Sequence, residues 1–317
     1  MSEPLEVTTL GEAMVVMDPL SAGPLRHVGR FEKHVGGAEH NVAVGLSRLG
    51  HRAGFAGSLG EDEFGKEILA FLRGEGVDVS RVTLDAEVPT GLYFKERRAL
   101  GQLRVYYYRA GSAASRMRFE DLDLDYLLSG RFVHLTGITA ALSESCRDLV
   151  ERLAAAANER GVTVSLDANV RWRLFEGRDP REVLMPIVER ADLLFLSEEE
   201  AEVLLGGESG EAIQEARRGM RAKTVVVHQA KSAFAVEDAG VTEREGYRVE
   251  VADTVGAGDA FVAGFLSGRL RGWETGECLG LANACGACAV TVQGDVKGLP
   301  TAEEALALLR GSKGVER

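Results

Sequence analysis

The chain has 317 residues, 45% of them hydrophobic, and a formal charge of −12 from 37 basic and 49 acidic side chains. That length can bury a sizeable core in one domain or two, and the acidic balance disfavours nucleic acid or anionic lipid as a partner. No apolar run approaches the roughly 20 residues that cross a bilayer, and the opening MSEPLEVTTLGE has no basic stretch followed by an apolar run, so the expected location is the cytoplasm.

From the N-terminus onward, short apolar runs alternate with longer helical patterns. The expected strands are Leu5–Leu10, Arg52–Ser58, Phe132–Leu135, Val162–Leu166, Leu193–Leu196 and Thr224–Val227. The expected helices are Glu61–Gly74, Glu144–Arg160, Glu198–Leu205 and Glu211–Met220. Near-continuous apolar strands alternating with helices imply a mostly parallel sheet covered on both faces, an α/β three-layer sandwich. Two segments, about 13–35 and 88–112, break the alternation and look extended. In the second, Tyr106, Tyr107 and Tyr108 follow one another, so two face one side and the third faces the other. This excursion is either a small β-sheet lid or an ordinary edge hairpin. No linker composition interrupts the chain, so 1–317 is read as a single domain.

Four cysteines are too few for a disulfide scaffold in a chain of this length. Cys285-x-x-Cys288 has redox or metal spacing, but it lies in an Ala/Gly-rich helical pattern without a second such pair or a nearby histidine. Small buried core residues are expected there.

The most informative stretch is Asp253-Thr-Val-Gly-Ala-Gly-Asp-Ala-Phe-Val-Ala-Gly264. It follows the strand-like Tyr247–Val251 and opens into Ala260–Leu270, apolar almost all round and therefore a buried helix. Gly256, Ala257 and Gly258 then sit at a helix N-terminus, where N–H groups have no intrahelical partner and the dipole favours an anion. Small side chains let a phosphate approach the backbone. Asp259, in the first turn, is expected to be ionised at pH 7 and able to take a proton from an attacking hydroxyl. The plainer alternative is a tight glycine turn followed by an acidic helix start. The segment is neither a Walker A loop nor a GxGxxG dinucleotide turn.

DTVGAGDAFVAG resembles the second signature of the PfkB, or ribokinase-like, carbohydrate kinases, and Gly36-Gly-Ala-Glu-His-Asn-Val-Ala43 resembles the first. GSLGEDEFG (57–65) and Asp167-x-Asn169-x-Arg171 match further stretches, so the resemblance runs from Thr9 to about Pro300. It implies a ribokinase-like α/β core with a small β lid, and ATP along the carboxyl ends of the strands. It implies Asp259 as the base, Gly256–Asp259 as the anion hole, and Gly37 and Asn41 at the sugar. Within the family, PTGLYFKE, GQLRVYYYRAGSAAS and LDANVR look most like kinases of 2-keto-3-deoxygluconate. Tyr93, Tyr107, Arg109, Asn169 and Arg171 fall where that subgroup holds its sugar acid, and arginine offers a fork that fits a carboxylate. Lid packing is the alternative for the two tyrosines; surface charge or a sugar-phosphate contact is the alternative for the two arginines.

On the nucleotide side the resemblance points to Ser197, Glu200, His228, Ala230, Ala233, Gly258 and Asn283. Two departures stand out. His228-Gln-Ala-Lys-Ser-Ala233 has no glycine where the family has a glycine loop against the phosphates. Ser197-Glu-Glu-Glu200 replaces the family's Asn-x-x-Glu; Glu200 could orient Mg²⁺ through water, or this is simply an acidic helix start. The implied cofactors are ATP and Mg²⁺, with a monovalent cation as a further candidate, and the expected assembly is a homo-oligomer. Another sugar kinase of the family, or a non-catalytic sugar or nucleotide binder, are the rival readings.

Overall fold

The computed structural model describes residues 4–98, 102–175 and 177–311. Nine strands form one sheet: β1 (Val7–Leu10), β4 (Ala53–Gly60), β5 (Asp78–Asp85), β8 (Phe132–Thr136), β9 (Thr163–Asp167), β10 (Leu193–Ser197), β11 (Thr224–His228), β12 (Ser232–Glu237) and β13 (Gly240–Glu245). Their order is β13-β12-β11-β10-β9-β8-β1-β4-β5. All neighbours from β11 to β5 are parallel, and β12 and β13 continue antiparallel.

Side-chain alternation explains the layers. Phe195 and Val226 join the core cluster on one face, with helices Ala38–Arg48, Ala257–Leu270 and Thr275–Val290. Leu194, Leu196, Val225 and Val227 join the cluster on the other, with helices Glu144–Arg160 and Pro180–Val188. Strands apolar on both faces are what a sheet sandwiched between helices requires.

A second sheet, β3-β2-β6-β7, is built from β2 (Met14–Pro19), β3 (Phe31–Gly36), β6 (Leu92–Arg97) and β7 (Leu103–Tyr108). Both extended segments therefore contribute to it; residues 99–101 of the expected excursion lie outside the described residues. Along β7 the exposed positions are Arg104, Tyr106 and Tyr108, whereas Tyr107 turns inward and pairs with Tyr93 of β6.

Two expectations change, and one strand was not expected. Tyr247–Val251 is not a strand: the chain leaves β13 at Gly246 and runs to the end of helix Thr275–Val290, where Ala252 N–H donates to Val290 O at 2.7 Å. The edge strand β5 is mostly exposed and polar, so its sequence lacks the apolar signal of a buried strand. Of the segment expected as a 228–233 loop, His228, Ser232 and Ala233 are strand, and only Gln229–Lys231 lie between β11 and β12. The cysteines form no disulfide among the described residues, and Cys285 is buried in its helix. There Cys285 and Cys278 pack closely against Gly264 and Gly268 of helix Ala257–Leu270, which is why small residues fill this helix pair.

Candidate active site

Helix Ala257–Leu270 starts at Gly256, whose φ of 81° is the left-handed conformation. A Cβ there would stand 2.3 Å from the main-chain O of Asp295, so only glycine fits this turn. No side chain caps the helix, and Gly258 and Asp259 occupy first-turn positions whose N–H groups have no intrahelical acceptor. A turn of this kind can receive an anion.

Asp259 is buried beside those N–H groups. Burial pushes its carboxyl up to about 7, against the hydrogen bond from Asn41 and the charge of Arg171 and with the push of Asp295 and Glu39. The expectation of an ordinary ionised carboxylate at pH 7 is therefore changed: desolvation raises the group out of the usual carboxylate range. Asn41 Nδ2 donates to Asp259 Oδ2 at 2.6 Å, and His40 Nδ1 lies 3.1 Å from Asn41 Oδ1. Asn41 is delivered by helix Ala38–Arg48, which begins at Gly37. Gly37 has φ 142°, and a Cβ on it would fall 2.3 Å from Glu12 O.

These groups line a cavity of about 580 Å³ between the carboxyl ends of the parallel strands and the small sheet. Gly37, Asn41, Tyr93, Tyr107, Arg109, Asn169, Arg171, Ser197, Glu200, His228, Gly256, Gly258 and Asp259 all meet there. Across it stand Tyr93 and Tyr107, ring centroids 5.5 Å apart, with the Arg109 guanidinium 5.3 Å from the Tyr107 ring. Arg109 is buried and ion-paired with Glu12, so part of its charge is already neutralised. Arg171 is exposed at the cavity and forms no ion pair among the described residues. Asn169 holds an uncommon positive φ of 39°, fixed by Asp167, whose carboxylate accepts from Asn169 N at 3.2 Å and Nδ2 at 3.1 Å. Burial, then the charges of Glu200 and Asp259, raises Asp167 well above the usual carboxylate range.

Glu200 closes a capping box with Ser197: its Oε2 accepts the Ser197 N–H at 2.8 Å, and its Oε1 accepts the Val170 N–H at 2.6 Å. His228 lies at the cavity with its ring 5.7 Å from Phe261, and burial lowers its pKa against the pull of Glu200 and Glu198. The remaining candidates lie outside the cavity lining. Ala257 is the first residue of the glycine-turn helix. Ala230 is in the tight β11–β12 turn, and Asn283 donates to the carbonyls of Arg244 and Glu245 at 3.2 Å. Ala233 is corrected: it is a fully buried core residue of β12 and presents no loop surface to a phosphate.

A sequence model of the pfkB family of carbohydrate kinases matches residues 5–302. The chain belongs to the pfkB family. It is an ATP-dependent sugar kinase. The 2-dehydro-3-deoxygluconokinase of Bacillus subtilis (strain 168) is 37% identical over 318 residues, covering 99% of this chain and 98% of the relative. Fructokinase-1 of Oryza sativa subsp. japonica is 34% identical, covering 96% and 98%. The solved 2-dehydro-3-deoxygluconokinase of Thermotoga maritima superposes with a TM-score of 0.88 at 30% identity, covering 97% and 100%.

For a pfkB kinase, the donor set fits nucleotide phosphates: the glycine turn has no room for a Cβ and offers unpartnered N–H groups. For a divalent metal the fit is looser. Glu200 already accepts two backbone N–H groups, and no group of three or more metal-ligating side chains occurs among the described residues. What sequence reading missed in this kinase is a set of side chains flanking the turn, above all Lys95 and Asp295. Asp295 Oδ2 accepts from the Tyr93 hydroxyl and Oδ1 from Lys95 Nζ at 2.6 Å. Their only sequence signal was residue type, since no local spacing connects them.

Proposed function

We propose that this kinase phosphorylates a primary hydroxyl of 2-keto-3-deoxygluconate, with Asp259 as the general base. The observation that carries the reading is Asp259 at a helix N-terminus, lining one cavity together with Arg171, Tyr93 and Tyr107. The acceptor oxygen attacks the γ-phosphorus of ATP while the bond from that phosphorus to the β-bridging oxygen breaks. The hydroxyl proton passes to the Asp259 carboxylate, and ADP leaves. Backbone N–H groups of Gly258 and Asp259 hold the charge that grows on the phosphoryl oxygens. Asn41 orients the carboxylate through its 2.6 Å hydrogen bond. Mg²⁺ bound with the phosphates would supply charge neutralisation, and Glu200 is the residue that would act on it, through water. The small sheet serves as the lid that excludes water, a competing acceptor.

Because Arg109 is paired with Glu12, Arg171 is the stronger candidate to read the substrate carboxylate. Losing one partner of such a contact costs about 2–5 kcal/mol, so Arg171→Ala is expected to raise KM for the sugar acid roughly 30-fold or more. KM for ATP changes little. ADP release is measured for native enzyme and variant with 2-keto-3-deoxygluconate, fructose and ribose. An equal loss on acid and neutral sugars removes Arg171 from carboxylate recognition. The engaged Arg109 also favours a second reading, a neutral hexose such as fructose; a native preference for fructose would establish it.

A further inference from the structure

Beside Tyr93, with Lys95 and Asp295 in the lining of the same cavity, lies a charge cluster that the reaction above does not use. Lys95, fully buried on β6, places Nζ 2.6 Å from Asp295 Oδ1 and 3.3 Å from Asp253 Oδ2. Arg97, two residues along the same strand, reaches Asp253 Oδ2 at 3.0 Å and Asp18 Oδ2 of β2 at 2.9 Å. Three carboxylates thus share two cations. Burying an ammonium is costly unless it is paired, so its position is tightly determined.

The partners of these cations shape the phosphate turn. Asp253 Oδ1 accepts the Val255 N–H at 3.2 Å, inside the turn that ends in Gly256. The main chain of Asp295 presses on Gly256, as the missing room for a Cβ shows. The same Asp295 accepts from the hydroxyl of Tyr93, a residue of the cavity lining. One strand of the small sheet therefore contacts the sugar side through Tyr93 and the phosphate side through Lys95.

We propose that Lys95 is a positioning residue that ties the small sheet to the Thr254–Gly258 turn, so that sugar and nucleotide each strengthen the binding of the other. Ordering β6 around a sugar fixes the carboxylates that hold the turn; ordering the turn around phosphates fixes β6. Such coupling is reciprocal. The inference rests on the sugar-kinase reading but not on which sugar is used.

The test is calorimetric. Turnover first identifies the sugar that the native enzyme phosphorylates, and that sugar is used throughout. A native enzyme that accepts fructose and not 2-keto-3-deoxygluconate overturns the substrate assignment alone and leaves this experiment intact. Affinities for the sugar and for a non-hydrolysable ATP analogue are then measured separately and with the other ligand saturating. Native enzyme is expected to show mutual strengthening of about 5-fold or more. In Lys95→Met the factor is expected to fall to within about twofold of unity, and Lys95→Arg to restore part of it, because a cation again spans the two carboxylates. A folded Lys95→Met that keeps the native factor overturns the proposal, as does a native enzyme without coupling. Should Lys95→Met fail to fold, Arg97→Gln decides, since Arg97 is a quarter exposed at the cluster's edge. A drop of about threefold supports the link, and an unchanged factor overturns it.

Discussion

Asp259 is the side chain whose environment departs furthest from its sequence expectation, and the departure has two measurable consequences. Its carboxyl is raised to about 7, chiefly by burial. As the proposed base, Asp259 must be deprotonated to act, so kcat/KM for native enzyme is expected to rise about tenfold per pH unit up to about 7 and then level off. Asp259→Asn is expected to lower kcat roughly 10²–10⁴-fold and to abolish that limb of the profile. The second consequence concerns stability. A carboxyl raised on folding favours the native state while protonated, and that contribution is lost as pH climbs from the unfolded value through about 7. The Asn variant is therefore expected to gain in melting temperature relative to native enzyme as pH is raised from 5 to 8. An equal offset at both pH values would show that burial does not raise this group.

At the scale of elements, the two turns expected at the phosphates differ in what they tolerate. Gly256→Ala is expected to abolish activity, because φ 81° and a Cβ 2.3 Å from Asp295 O cannot be relieved without moving the turn. The left-handed conformation alone costs an L-residue about 1–2 kcal/mol; urea unfolding measures the stability loss and ADP release the activity. The β11–β12 turn is short, closed by Gln229 N–H to Ser232 O at 2.9 Å. Ala230→Gly is expected to change stability by about 0.5 kcal/mol or less, as for a surface position, and to leave turnover in place. Ala233→Gly, in the buried strand, is expected to cost about 1 kcal/mol. Equal effects at the two positions would mean that both belong to one flexible phosphate loop.

Over the whole molecule, burial acts on the histidines in the opposite sense. His40 is held at about 4 and His134 at about 3, both chiefly by desolvation. The unfolded chain protonates these groups near 6.5, so their contribution is full above that value and is lost as pH falls toward the folded values. For His134 the loss between pH 6.5 and 5 amounts to about 2 kcal/mol, at about 1.4 kcal/mol per unit. Asp167 and Asp259, raised by burial, oppose this trend. His134→Gln keeps a polar partner near Ser165, whose Oγ lies 3.0 Å from the histidine Nδ1. It is expected to make the melting temperature fall less steeply on acidification; an unchanged slope would show that His134 does not contribute.

Local pattern was enough to read six of the seven described parallel strands, about half of the helices and the glycine turn. Apolar runs, helix caps and φ-permissive residues exert their effect within a few positions of themselves. The two extended segments were visible for the same reason, although their pairing of β2 with β6 was not. Whatever depends on burial or on distant partners was decided by the tertiary structure alone. Ala233 became core because Gly246 and β13 draw the chain after His228 into the sheet. Arg109 lost part of its availability to Glu12, almost a hundred residues earlier in sequence. Asp259 moved to about 7 because packing removed its water. Lys95 meets Asp253 and Asp295 across separations of 158 and 200 residues, and no spacing rule links such positions. The glycine turn is local and so is written in order along the chain; the charges around it meet only when the small sheet comes against the segments before helix Ala257–Leu270 and after helix Thr275–Val290.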